Sequence, residues 1–152
     1  MQLPFYCLSK THRITNMKNI PMAFEARIEI SFEIKPYNID AAGHVNNAVY
    51  IYWLEDLRTK LFEKILLPEM LLKRNYHLVV ASTNIEYKKP LHLYQKPVGN
   101  MKVDKYERGI WYLSCIIKLD DEIIAKAFQK CVVMDKSTQK MVKDKVINSL
   151  VP

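Results

Sequence analysis

One run constrains the fold of this chain more than any other: AVYIYWLEDLRTKLFEKILL, Ala48 to Leu67, in which Val49, Trp53, Leu57, Leu61 and Ile65 recur at steps of four. Tyr50, Leu54 and Phe62 widen that stripe into a broad apolar face, which predicts one long helix needing a surface to cover it. The rest of the sequence supplies strands. From Ala26, Ile28, Ile30, Phe32 and Ile34 alternate with Arg27, Glu29, Ser31 and Glu33, as a half-buried strand requires. HLVVASTNIEYKKP, closed by Pro90, reads as a second strand, with Val79, Ala81, Thr83, Ile85 and Tyr87 on one face and Val80, Ser82, Asn84, Glu86 and Lys88 on the other. VGNMKVDKY, IWYLSCIIKL and EIIAKAFQKCVVM follow, separated by Glu107-Arg108-Gly109 and Asp120-Asp121, two short polar breaks suited to hairpins. The order is one strand, one long helix, four strands, without the strand–helix alternation of a parallel sheet. The class is α+β, with an antiparallel sheet curved around the helix. Pro68 ends the helix or opens a new turn, the connection runs to Asn75, and the C-terminal STQKMVKDKVINSLVP predicts a short helix capped by Ser137 or Thr138.

At 152 residues the chain has the length of one domain, expected over residues 24–152 after a 1–23 segment that is basic, free of acids and without sustained periodicity. That segment reads as an extended leader more readily than as an organelle-targeting peptide, which would carry more Ser and Arg. Hydrophobic residues at 49% and charged residues at 26% give a globular balance. No apolar run approaches the roughly 20 residues that span a bilayer. Cys7, Cys115 and Cys131 are too far apart for a zinc or dithiol motif, and the last two fall in apolar strands, so they read as small buried hydrophobes in a cytoplasmic, reducing setting. The net charge of +7 suits a phosphorylated ligand or an acidic carrier protein. From Glu25 onward, however, 20 basic residues stand against 16 acidic ones, with no basic stripe or nucleic-acid signature. Nucleic acid is not an expected partner.

Chemistry concentrates in YNIDAAGHVNNAVY, Tyr37 to Tyr50, between the first strand and the helix. Asp40 there is a turn residue, as Asp often is, or a reactive carboxylate. Gly43, one of three glycines, supplies a positive φ or a close backbone approach. Asn46 or Asn47 caps the helix, leaving unpaired N–H groups at its start. A carboxylate beside such donors provides the two parts that acyl transfer needs: one that activates and one that receives an oxyanion.

Asp40, Gly43, His44, Val45, Asn46, Asn47, Ala48 and Tyr50, placed after a strand and opening a helix, resemble the motif of the hotdog-fold thioesterases, in particular the 4-hydroxybenzoyl-CoA thioesterase-like acyl-CoA thioesterases. The resemblance runs from about Glu25 to Lys140 and includes YKKPL, Tyr87 to Leu91. It implies a five- to six-stranded sheet wrapped around a central helix, in a homodimer and often a homotetramer, with active sites between subunits. It also implies hydrolysis of an acyl-CoA or acyl carrier protein thioester, with Asp40 as nucleophile or general base and the backbone N–H near Asn47 polarising the carbonyl. No metal or cofactor is implied, CoA being part of the substrate.

Around that pair, His44 is expected to orient water or the thioester, or to be structural. Gly43 and Asn46 are expected to contribute to substrate binding through the backbone and the helix start; Tyr50 and Trp53 line the acyl pocket or simply pack in the core; and Lys88, Lys89 and Arg108 lie near the CoA phosphates or are plain solvated surface. Many members carry an acid where this chain has Asn38, and some carry His where it has Asn47. Another subgroup uses a Glu on the helix; Glu55 could fill that place but reads better as the partner of Arg58, three residues on. Two other readings stand beside hydrolysis. A dehydratase or hydratase would need a Pro-containing His motif that is missing, and a non-catalytic acyl-CoA-binding module would have little use for Asp40.

Overall fold

The computed structural model describes residues 26–150, so the reading of residues 1–23 and of Cys7 lies outside the described residues. The first strand, β1, spans Arg27–Ser31, and a short 3₁₀ turn at Pro36–Asn38 leads to the long helix α1, Asn47–Ile65. A second helix α2 (Pro68–Lys73) precedes β2 (Tyr76–Tyr87), β3 (Val98–Glu107), β4 (Ile110–Leu119) and β5 (Glu122–Asp135). A two-residue β6 (Lys140–Met141) and a helical turn α3 (Asp144–Ile147) complete the order.

The strands form one antiparallel sheet in the order β1-β3-β4-β5-β2, with β6 paired to β5. The two strands that flank α1 in sequence therefore lie on opposite edges of that path, and the helix carries the chain across the sheet. Its 19 residues extend about 28 Å at 1.5 Å per residue, more than the four interstrand gaps of about 4.8 Å it must cross. Contacts with every strand on the path show the sheet curling around it. Lys64 Nζ donates to the Arg27 carbonyl of β1 at 3.3 Å, Phe62 meets Trp111 of β4 edge-on at 5.7 Å, and Arg58 donates to Gln129 of β5 at 3.2 Å. Tyr50 meets Tyr87 of β2 at 5.1 Å. At Gly99 of β3 an added Cβ would lie 2.8 Å from both Leu57 Cδ1 and Phe32 Cε2, so the absence of a side chain sets how closely helix and sheet approach. Leu54, Leu57 and Leu61 are fully buried, each contributing about 1.5–3 kcal/mol relative to exposure.

Three expectations need correction. The alternation along β2 breaks at Ala81, where the register with β5 shifts between Val80 and Ser82. This bulge turns Leu78 and Val80 onto the helix side with Ile85, and leaves Val79 and Ala81 outside the core. Residues 68–73 form a helix rather than a plain connection, with Pro68 in the first turn, where its missing N–H costs nothing. Ser137 and Thr138 cap no helix: their N–H groups donate to the Asp135 carboxylate at 2.8 and 3.0 Å, closing a turn that returns the chain as β6. The C-terminal helical turn begins later, at Asp144, and no side chain caps it. The β3–β4 turn follows the expected chemistry, with Arg108 and Gly109 both at positive φ in a two-residue loop.

Candidate active site

The loop before α1 is folded on Asp40. Its Oδ1 accepts the N–H of Ala42 at 2.8 Å and of His44 at 3.2 Å. Its own N–H donates to the His44 carbonyl, and its carbonyl accepts from Gly43. Gly43 sits at φ +77°, with nothing within 4 Å of an added Cβ, so the glycine is required by conformation and not by space. Asp40 is thus the turn residue its local chemistry suggests. Only Oδ1 is used for this: among the described residues Oδ2 has no hydrogen-bond partner.

The helix start is fixed independently. Asn46 is the cap, its Oδ1 accepting from Ala48 at 2.9 Å and its N–H donating to the Asn38 carbonyl at 2.8 Å. Asn38 in turn accepts the Lys35 N–H through its side chain, latching the entering chain. Val45 N–H donates to Leu91 at 2.8 Å, tying the loop to the segment after β2. With these bonds made, the Asn47 N–H is left without an acceptor among the described residues. It stands at the positive end of a five-turn helix. The Asn47 carbonyl accepts from the Tyr87 hydroxyl at 3.3 Å.

Asp40, His44, Val45, Asn47, Tyr50, Tyr87, Lys88, Lys89 and Pro90 line one cleft of about 290 Å³. Six of the expected residues are therefore brought together by a loop, a helix start and the end of a distant strand. Lys88 and Lys89 enter it already paired, with Glu86 at 2.6 Å and Glu122 at 2.5 Å, and the hydrogen bond and charge of Lys88 hold the exposed Glu86 carboxyl below its ordinary range. Exposed pairs of this kind contribute little. Gly43 and Asn46 shape the site through the backbone and the cap. Trp53 turns the other way, stacked on Phe32 at 4.8 Å along a groove beside β1. Arg108 lies in the β3–β4 turn, next to the Trp111 that packs on Phe62 near the far end of α1, so within one chain it does not reach the cleft.

Glu55 is bound to Arg58, as its spacing suggests, and the buried Arg58 continues to Gln129 and then Thr83 at 3.1 Å. Cys115 and Cys131 are buried, and burial pushes their thiols up to about 12 and about 11, far from the range of a reactive thiol. Sequence reasoning missed Tyr87 and His92. His92 meets His44 edge-on at 5.1 Å, with Nδ1 3.3 Å from the Gly43 carbonyl oxygen. Tyr87 shares its strand end with the two lysines, a signal that was available. His92 lies in a loop, where no periodicity points to it.

An antiparallel sheet curled around one long helix is the hotdog fold. The model of the thioesterase-like superfamily matches residues 34–146, and the chain belongs to that superfamily. Its sequence is similar to that of the long-chain acyl-CoA thioesterase FadM of Escherichia coli (strain K12), with 28% identity over 115 residues, 74% of this chain and 87% of that protein. Its fold is similar to the probable thioesterase YbaW from Escherichia coli, with a TM-score of 0.71 at 24% identity, covering 82% and 98% of the two chains. It is also similar to a Staphylococcus aureus protein solved in complex with CoA, with a TM-score of 0.73 at 14% identity, covering 81% and 79%.

Proposed function

We propose that this chain hydrolyses acyl-CoA thioesters to the free acid and CoA. The observation that carries this reading is the free Asn47 N–H in the same cleft as the uncommitted Oδ2 of Asp40. The acyl-CoA activity of the relative FadM and the CoA bound by a protein of the same fold support the choice of thiol.

The thioester carbonyl oxygen lies at the Asn47 N–H, where the helix dipole favours growing negative charge. Asp40 supplies the attack, either by taking a proton from water as that water adds to the carbonyl carbon or by adding through Oδ2 itself. Collapse of the adduct re-forms the carbonyl, breaks the C–S bond and releases the thiolate, a weak base that leaves easily; in the second route this leaves an acyl–Asp40 anhydride, which water then hydrolyses to the free acid and Asp40. Lys88 and Lys89 exchange their carboxylate partners for the CoA phosphates. A second copy of the chain completes the site: β2 ends the strand path, and its Tyr87 is 42% exposed in a single chain.

The test is thiol release from a panel of acyl-CoA and acyl carrier protein thioesters. The wild type turns over the CoA esters, and Asp40→Asn loses about 10²-fold or more, the scale of losing one transition-state group. Full activity in Asp40→Asn overturns the assignment, and binding without turnover by the wild type makes the chain a binding module. Single turnover in ¹⁸O-water tests the nucleophilic role of Asp40: label in its carboxylate, from water attacking the Asp40 carbonyl of the anhydride, identifies it as the nucleophile.

A further inference from the structure

The mechanism above gives the reacting oxygen one donor, whereas oxyanion holes are commonly built from a pair. Tyr50 stands three residues after Asn47 and so on the same helical face. Helical side chains lean back over the preceding turn, which carries its phenol toward the helix start. The ring is held from two sides, by Trp53 at 5.1 Å and by the edge-on Tyr87 at 5.1 Å, and the residue is 2% exposed.

Its hydroxyl is the unusual part. Among the described residues it has no hydrogen-bond partner, yet it is not one of the unpartnered polar atoms sealed inside the fold, which are His77 Nδ1, Trp111 Nε1 and Asn148 Oδ1. The oxygen is therefore not fully sealed, and the cleft that Tyr50 lines is the one shared by Asp40 and Asn47.

We propose that the Tyr50 hydroxyl is the second donor to the thioester oxygen, which makes Tyr50 a catalytic residue of the hydrolysis proposed above, on which this inference rests. As the oxygen or carboxylate nucleophile adds to the carbonyl carbon, the π pair moves onto the carbonyl oxygen. That oxyanion accepts from the Asn47 N–H and the Tyr50 O–H together. When the carbonyl re-forms, the C–S pair leaves with the sulfur, and Tyr50 keeps its proton throughout. Burial suits this role, pushing the phenol up to about 12, so the group remains a donor at every working pH.

The experiment is Tyr50→Phe, which removes one oxygen and keeps the packed ring. Because that oxygen has no protein partner, its loss leaves the melting temperature unchanged. The expected result is a 10- to 100-fold fall in kcat on the best acyl-CoA, with KM and the inhibition constant of free CoA held within about twofold. As a second measurement, an acyl-CoA bound to Asp40→Asn shows a carbonyl stretch lowered by two donors, and adding Tyr50→Phe raises it. A kcat within twofold of wild type, or a rise in KM alone, overturns the proposal and makes Tyr50 a wall of the acyl pocket. Wild-type turnover and Asp40→Asn judge the hydrolase reading separately, so the two failures are distinguishable.

Discussion

Position 43 shows how a residue without a side chain controls one with a charge. At φ +77° Gly43 turns the chain so that the Ala42 and His44 N–H groups converge on one oxygen of Asp40. Gly43→Ala places a Cβ in open space but in the wrong backbone region, at a cost of about 1–2 kcal/mol. Thermal melting should fall by several degrees, and kcat should fall further than stability explains, because the Asp40 carboxylate loses its seat. Gly43→Asn should recover much of both, since Asn enters the left-handed region more readily than Ala. Equal losses in Ala and Asn would mean that something other than φ is at stake. At this scale the loop before α1 was largely legible: a lone Asp, a Gly and paired Asn between strand and helix are local chemistry, and local chemistry is written consecutively. What could not be read was direction around the stripe. Tyr50 and Trp53 both lie on the apolar face of α1, but only the fold shows that one turns toward Tyr87 and the other toward Phe32.

At the scale of elements, α1 is held by packing along its length and by one polar ladder, Glu55–Arg58–Gln129–Thr83, which joins helix, β5 and β2. Its buried members are Arg58 and Gln129, and Glu55 remains mostly in water. Gln129→Met removes the buried acceptor of Arg58 and should cost about 1–3 kcal/mol, the penalty for an unsatisfied buried group. Glu55→Gln should barely move the melting point, because an amide oxygen still accepts from Arg58, and it should keep most of kcat. Loss of turnover in Glu55→Gln with stability intact would move the chemistry from the loop to the helix. The helix and the five long strands could be read because each has its own period, 3.6 or 2. The bulge at Ala81 could not, since it depends on which β5 residue stands opposite, a contact across about fifty residues of sequence. The short β6 escaped for the same reason: its partner is β5 and its turn belongs to Asp135.

For the molecule as a whole, closing this core buries several weak acids whose ordinary titration lies in the alkaline range. Burial raises Cys115 to about 12 and Cys131 to about 11 from an ordinary 9.0, raises Tyr50 to about 12 from 10.0, and raises Tyr106 too, with its hydroxyl donated to Asp144 at 2.6 Å. For each of these groups the folded value lies above the unfolded one, so between the two the unfolded chain has already released its proton while the folded chain holds it. The unfolded state then binds fewer protons, and stability falls as pH rises. Below pH 9 the groups contribute nothing to the slope. The loss begins with the thiols near pH 9, is joined by the phenols near pH 10, and continues toward pH 12. Melting temperature should therefore change little on account of these groups up to about pH 8.5 and decline steadily above pH 9. In Cys115→Ala the protein starts less stable, having lost packing, but its decline between pH 9 and pH 11 should be shallower than wild type, which separates titration from packing. The same burial makes Cys115 and Cys131 silent toward an alkylating reagent at pH 8 in the native protein and reactive in guanidinium, as peptide mass mapping will show. Rapid native labelling of either, or a melting curve flat to pH 11, would mean that the sheet does not close over α1 as tightly as the contacts of Leu57 with Gly99 and of Phe62 with Trp111 require.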